Sequence, residues 1–349
     1  MHRLPSNSIN SQQGVALLLI LMIVIVTGSS LVLATADFQN QRHAEQIETL
    51  EDMAYAKEAL IAYAVQHNAN YPGQGPGHLP CPDTDNDGAA EASCNNLSAQ
   101  YLGRLPEFVT LPSGSRFPVS DTNAGIDQQF WYAVTPAFHM TGTGALNTAS
   151  NSILTVDGDN DVVALIIAPG ESVAGQSRVS NDVADYLEGG NQNAVNFVRS
   201  YATDPANFND QIVKITRTEI ITAMANKAAQ EIKVVLDDYY LSTNQYYLYG
   251  IWGPWCSGPF NASGTYPQDN YLNTGCNTSW GIYESEQEAY DTVIPGDAVA
   301  WFANENWDAV DSYTFVSTTE ARITFTGCNI VYTLNYNNDV SRDRRDCND

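Results

Sequence analysis

Gln13-Gly14-Val15-Ala16-Leu17-Leu18-Leu19-Ile20-Leu21-Met22-Ile23-Val24-Ile25-Val26 opens an uncharged run that continues to Ala36. Val15 to Ala36 is 22 residues, which as a helix rising ~1.5 Å per residue cover about 33 Å, enough to cross a bilayer core. The run reads as a membrane-spanning helix. The leader before it, Met1 to Gly14, is short and polar, carries Arg3 and no acid, and ends on a glycine that abuts the apolar residues. That layout predicts a cytoplasmic N-terminus, a single pass through the inner membrane and an exported, periplasmic body. An ordinary secretory signal has an apolar core of roughly 7 to 15 residues and an A-x-A-like cleavage site. Ala34-Thr35-Ala36 meets the second condition, but the run is too long for the first.

The same residues resemble the class III leader of type IV pilins and type II secretion pseudopilins, whose dedicated peptidase cuts after a glycine and leaves the apolar helix on the protein. The resemblance implies a cut between Gly14 and Val15, with Val15 as the methylated N-terminus. It is close over the first 65 residues and loose beyond them. Members usually carry a glutamate at the fifth mature position, thought to neutralise the N-terminal amine of a neighbouring subunit; Leu19 stands there in this chain. That departure is typical of the K-type minor pseudopilin and of some tip-located minor pilins, and implies an initiating or tip subunit. Small residues at Gly28, Ser29 and Ser30 would let helices approach closely. The fold implied is α+β: a long N-terminal membrane-spanning helix packed on an antiparallel sheet. The implied partners are other pilin or pseudopilin subunits, the prepilin peptidase and the inner membrane. A plain signal anchor and cleavage after Ala36 by ordinary signal peptidase stay open as alternatives.

Removing residues 1–14 leaves 335 of 349, enough for a large core. At about 150 residues per domain, two globular units are expected behind the helix. The boundaries read from the chain are a leader at 1–14, a transmembrane and amphipathic helix at 15–67, a first α+β module at 68–215 and a second, disulfide-rich pilin-like module at 216–349. The formal net charge of −25 becomes −26 on loss of the leader, which removes Arg3 and no acid. Such a surface repels phosphate backbones, so nucleic acid is excluded as a partner and divalent cations are the natural one. Charged residues are only 16% of the chain, which argues for a folded exported protein rather than an acidic disordered tail.

All six cysteines, Cys81, Cys94, Cys256, Cys276, Cys328 and Cys347, lie beyond the apolar run. An even number in an oxidising compartment argues for disulfides, with fifteen connectivities allowed. Sequence neighbours pair most easily, which favours Cys81 with Cys94, Cys256 with Cys276, and Cys328 with Cys347. Zinc is the competing reading, against which stand the lack of a C-x-x-C pair and of a nearby histidine cluster.

From Asp37 to about His67 the helix continues, with Leu50, Met53, Ala54, Leu60, Ile61 and Ala64 as an apolar stripe against Glu48, Glu51, Glu58 and Gln66. Ala56 to Tyr63, followed by Asn70-Tyr71-Pro72-Gly73, resembles the end of the pseudopilin helix and its exit loop. Next comes Asp83-Thr84-Asp85-Asn86-Asp87-Gly88, where alternate carboxylates before a glycine can converge on one hard cation, as at the start of an EF-hand loop. The closing acid of that motif would fall at Cys94, so the match is partial; Glu91 is a possible substitute. Calcium competes here with a solvated turn tied by the cysteine pair. A second acidic turn, Asp157-Gly158-Asp159-Asn160-Asp161, reads first as a hairpin and second as another cation site. It leads into Val162 to Ala168, seven apolar residues that read as a central buried strand. Phe130 to Val134 reads as a strand as well.

Thr216 to Tyr240 is expected to be helical, capped by Thr218, with Ile220, Ile221, Met224, Ala228, Ile232, Val235, Leu236 and Tyr239 on its apolar face. Shifted by 176 residues, Leu60, Tyr63 and Tyr71 fall on Leu236, Tyr239 and Tyr247, which suggests a duplicated module. Residues 298–302, 313–317, 322–326 and 330–334 read as antiparallel strands, and Arg342, Arg344 and Arg345 as a solvated tail. The aromatic region from Tyr246 to Tyr283 reads as a small disulfide-tied core or a surface for glycan or exported substrate.

No catalytic constellation emerges. Gly170-Glu171-Ser172-Val173-Ala174-Gly175 nearly fits a nucleophile elbow, but its last glycine is one place late and no histidine follows it. His43, His67, His78 and His139 are scattered. The function expected is that of a noncatalytic minor subunit of a type IV pilus or type II secretion pseudopilus, at or near its tip. An adhesin or substrate-binding protein on an uncleaved signal helix is the alternative.

Overall fold

The computed structural model describes residues 44–94, 102–120, 129–140, 145–243 and 311–344, less 72, 179, 181, 194, 200–206, 318 and 326, and in addition 22, 263–264, 301, 304, 305 and 307. The chain divides into two compact units, 1–52 and 53–349.

Helix α1 covers residues 44–70. Residues 44–52 of the first unit are exposed almost throughout, with Thr49 Oγ1 donating back to the Glu45 carbonyl at 2.8 Å. From Met53 onward, in the second unit, one face is buried: Met53, Ala56, Leu60, Tyr63, Ala64 and His67, at three and four residue spacing. Glu58 and Gln66 face water. The apolar stripe expected from sequence is therefore rotated, because Leu50 and Ala54 are exposed and Ala56 and Tyr63 take their place in the core.

Among the described residues no helix is long and apolar enough to cross a membrane. The expected fold, a long N-terminal membrane-spanning helix packed on an antiparallel sheet, is corrected on this point, and with it the single-pass inner-membrane placement with a periplasmic body. A spanning helix must be apolar all round, whereas α1 returns a charged or polar side chain on nearly every turn. Val15 to Ala36, including Leu19 and Gly28, lies outside the described residues, as does Gly14.

The rest is mainly sheet. Strands β1 (Leu102–Arg104), β4 (Trp131–Val134), β5 (Leu154–Val156), β6 (Asp159–Ala168), β7 (Asn196–Phe197) and β8 (Gln211–Thr216) form a six-stranded sheet. Its axis is β6. One edge of β6 pairs with β8, and the other with β5 along its first half and β4 along its second. Side chains alternate across this sheet: Tyr132, Val134, Ala164 and Ile166 join the core that contains α1, whereas Trp131, Ala133, Leu165 and Ile167 meet Tyr186, Leu187 and Phe197 on the opposite face. Burial on both faces explains the unbroken apolar run in an antiparallel strand. Strands β2 (Phe108–Thr110) and β3 (Arg116–Pro118) make a separate hairpin.

Helix α2 (Arg217–Thr243) follows β8 directly. Thr216 Oγ1 accepts from the Glu219 backbone N–H at 3.1 Å and Glu219 Oε2 accepts from the Thr216 N–H at 2.8 Å, a reciprocal capping box. The cap is thus Thr216 and not Thr218, whose hydroxyl is buried without a partner. Ile220, Ile221, Met224, Ala228 and Ile232 are buried. Lys57 pairs with Glu219 at 2.6 Å and Asn68 with Glu231 at 2.6 Å, so α1 and α2 run parallel.

Beyond α2, β9 (Ser263–Gly264), β10 (Asp311–Ser317), β11 (Glu320–Phe325), β12 (Ile330–Asn335) and β13 (Ser341–Arg344) form a second antiparallel sheet. The expected strands at 313–317, 322–326 and 330–334 fall on β10, β11 and β12, and the arginine-rich tail supplies β13. Trp301, in the stretch read as a strand, is helical. Ala321, Ile323, Phe325, Ile330, Tyr332 and Leu334 enter the same core as α1, α2 and the first sheet. The second pilin-like module is corrected accordingly, since α2 shares one continuous core with both sheets and does not found a core of its own.

Candidate functional site

The loop after α1 is held by the Cys81–Cys94 disulfide, both sulfurs buried, with Cα atoms 5.6 Å apart. Inside it Asp83 is fully buried. Its Oδ1 accepts the Asn86 N–H at 2.6 Å and its Oδ2 the Gly88 N–H at 2.8 Å, so one carboxylate closes the turn. Asn86 and Gly88 both have positive φ, at 64° and 86°, which is why Asn and Gly stand there. The Asp83 backbone exchanges hydrogen bonds with Arg104 at 3.0 and 2.7 Å, fastening the loop to β1. A side chain at Gly103 would meet the Asp83 carbonyl at 2.7 Å, so this approach requires glycine.

Carboxylate oxygens of Asp83, Asp85 and Glu91 lie within 4.8 Å of one another. Asp87 is directed elsewhere, its Oδ1 accepting from the Ala89 N–H at 2.8 Å. Glu91 Oε1 accepts from the Thr84 hydroxyl and amide. Burial pushes the Asp83 carboxyl above its ordinary value, helped by Asp85 and Asp87 and opposed by the two backbone N–H bonds. The donor set is all hard oxygen, the kind calcium takes.

The second acidic turn is built otherwise. Asp157 and Gly158 have φ of 53° and 82°, a two-residue turn with both central residues left-handed, and Val156 faces Asp159 across it. Asp159 pairs with Lys214 and Asp157 with Arg199. Lys214 and the Asp161 N–H hold the Asp159 carboxyl below its ordinary value. Asp157, Asp159 and Asp161 are thus parts of a hairpin whose charges are answered by cations of the chain itself.

Sequence reading also missed a cluster. His67, His78 and His139, scattered along the chain, come together around Glu305. His78 Nε2 lies 3.0 Å from Glu305 Oε1 and its Nδ1 3.3 Å from the His139 carbonyl oxygen. The rings of His67 and His78 are 4.8 Å apart, and His67 Nε2 meets Gln74 Oε1 at 2.6 Å. Glu305 further accepts N–H bonds from Gly75 and Leu146. Burial, and then His78, push His67 down to about 3, leaving its ring neutral. The histidine pair closes the end of α1, the exit loop and residues 146–147 onto Glu305. No local pattern announces it; the signal was polar residues in segments that the fold had to bury.

Compared with known proteins, the chain matches no family model, no curated protein and no solved structure.

Its chemistry therefore rests on the residues themselves. Cys328 is disulfide-bonded, and no described cysteine is free. Cys256, Cys276 and Cys347 lie outside the described residues, as do Gly14, Val15, Leu19, Gly28, His43 and, apart from 263–264, the aromatic region from Tyr246 to Tyr283.

Proposed function

We propose that this chain is a noncatalytic subunit of a filament of the type IV pilus or type II secretion pseudopilus class, joined to its neighbours through the apolar run that begins at Val15. The supporting observation is α1. From Met53 it lies with one face in the core of the body, while residues 44–52 stand exposed, with Ile47 and Leu50 uncovered at 53% and 47%. The exposed residues 44–52 are the part of α1 that a neighbouring subunit would cover. Leu19, where the resembling family has an acid, favours a place at or near the tip, and Gly28 lets a neighbouring helix approach. Processing between Gly14 and Val15 by a prepilin peptidase is part of the reading.

The test is the N-terminal mass of the protein recovered from cells with and without that peptidase. A methylated chain starting at Val15, lost without the peptidase, is the expected result. A chain retaining residues 1–14 in both hosts, or one starting at Asp37, overturns the proposal.

Within the same reading, calcium is the ion for Asp83, Asp85 and Glu91. Millimolar calcium should raise the melting temperature of the wild-type chain over that in chelator, and Asp85→Asn with Glu91→Gln should abolish the rise. An equal rise in wild type and double variant, or none in wild type, overturns the assignment.

A further inference from the structure

Behind the first sheet, on the face turned away from the helices, two acidic side chains are buried against each other's backbone. Glu188 is 6% exposed and Asp210 not at all. Asp210 Oδ2 accepts the Glu188 N–H at 3.0 Å, while Glu188 Oε2 accepts the N–H groups of Asn209 at 3.1 Å and Asp210 at 3.2 Å. Asn191 Nδ2 donates to Asp210 Oδ2 at 2.8 Å and Gln176 Nε2 to Glu188 Oε1 at 2.8 Å. Asp210 Oδ1 is buried with no donor facing it. Two acceptor groups packed together, one with an empty oxygen, are resolved most simply by a proton.

We propose that Glu188 and Asp210 form a proton-sharing clasp, which fastens the turn around Gln176 and the short helical segment 189–193 to the entry of β8 and opens when the shared proton leaves. The three segments are joined through these groups and through Asn209, whose side chain reaches the Glu171 carbonyl at 2.7 Å. Protonated Asp210 donates to Glu188, which keeps the charge and its three N–H donors. Deprotonated, the pair holds two charges in a site that water does not reach, at a cost well above that of a surface pair.

The surrounding charges do not relieve that repulsion. Arg178 spends its guanidinium on the carbonyls of Gly170 at 2.7 Å and Pro169 at 3.0 Å, and touches Gln176 rather than either acid. Arg104 stacks on the Tyr186 ring, 4.0 Å from its centroid, and Arg178 lies 5.6 Å from the same ring. Tyr186 donates its hydroxyl to the Arg178 carbonyl. Glu171 and Asp185, on the same loops, are exposed or half-exposed acids that add to the negative field. Burial, with the Glu188 carboxylate beside it, pushes Asp210 up to about 8. A group whose value is raised on folding stabilises fully below its unfolded value near 4, and that stabilisation is lost as pH rises through about 8.

The test is amide hydrogen exchange on the full chain between pH 6 and pH 10, corrected for intrinsic rates. Protection at Glu188, Asn209 and Asp210 should fall by up to tenfold per pH unit from pH 6 to about pH 8, where the closed clasp keeps a proton that the open one has released, and level off above about pH 8. Ile166 in β6 should keep its protection. Asp210→Asn copies the protonated carboxyl and should flatten the profile. If that variant does not fold, the wild-type profile with and without calcium still decides. Flat wild-type protection, an equal fall at Ile166, an unchanged fall in Asp210→Asn, or a fall cancelled by calcium each overturns the proton clasp.

Discussion

Asp83-Thr84-Asp85-Asn86-Asp87-Gly88 and Asp157-Gly158-Asp159-Asn160-Asp161 are similar strings, each with three acids at alternate positions, an Asn before the last acid and one Gly. They do opposite things. In the first, the leading acid turns inward, takes two backbone N–H groups and is buried within a disulfide-closed loop. In the second, the acids stand outward at a hairpin tip and meet Lys214 and Arg199. What separates them is where the glycine falls. Gly158 directly follows the first acid and allows a two-residue reversal, whereas Gly88 comes five places after Asp83 and leaves room for a carboxylate to be wrapped by its own backbone.

The largest break in that comparison should come from the covalent tie. Replacing Cys81 and Cys94 by alanine removes a 13-residue separation, for which loop-closure entropy gives about 3 kcal/mol; chemical denaturation should show this loss, and no comparable tie exists to remove at the second turn. Next, Asp83→Ala leaves the buried Gly88 N–H and the half-buried Asn86 N–H without an acceptor and should cost about 2 kcal/mol. Asp159→Ala breaks an exposed ion pair and should cost no more than about 0.5 kcal/mol. Equal losses would mean that both turns use their acids alike. At the glycines, Gly158→Ala should cost about 1 kcal/mol for its positive φ alone. Gly88→Ala should cost more, because its Cβ would also meet Glu107 Oε2 at 2.9 Å.

The smallest effect concerns pH. Asp83 is raised, so its contribution is present at low pH and fades as pH rises through its folded value. Asp159 is lowered, so its contribution is present above about pH 4 and is lost as pH falls. Difference melting curves of Asp83→Asn and Asp159→Asn against wild type between pH 2.5 and 6 should therefore slope in opposite directions. Parallel slopes would refute the contrast.

Much of the secondary structure was legible. The apolar run at 162–168 is the sheet axis, and the acidic string ahead of it is the hairpin that its Asp-Gly pair suggested. The cap of α2 was placed two residues late, although Thr216 with Glu219 three places on is the capping-box pattern and Thr218, followed by Ile221, is not. The face of α1 was misread as well: Leu50 and Ala54 fit an apolar stripe, but the core begins at Met53. The three histidines and Glu305 could not be joined from sequence, since up to 238 positions separate them and their alignment depends on two sheets closing on one core.

Local physics settled which segments turn, pair and coil, because periodicity, β-branching and Asp-Gly or Thr-x-x-Glu chemistry act within a few residues. It also set the acid excess and the disulfide loop around Asp83. Tertiary structure alone decided which acids are buried. Glu188 and Asp210 differ from the chain's many surface acids by nothing in their neighbours along the sequence, and only the packing of two distant segments removes the water around them.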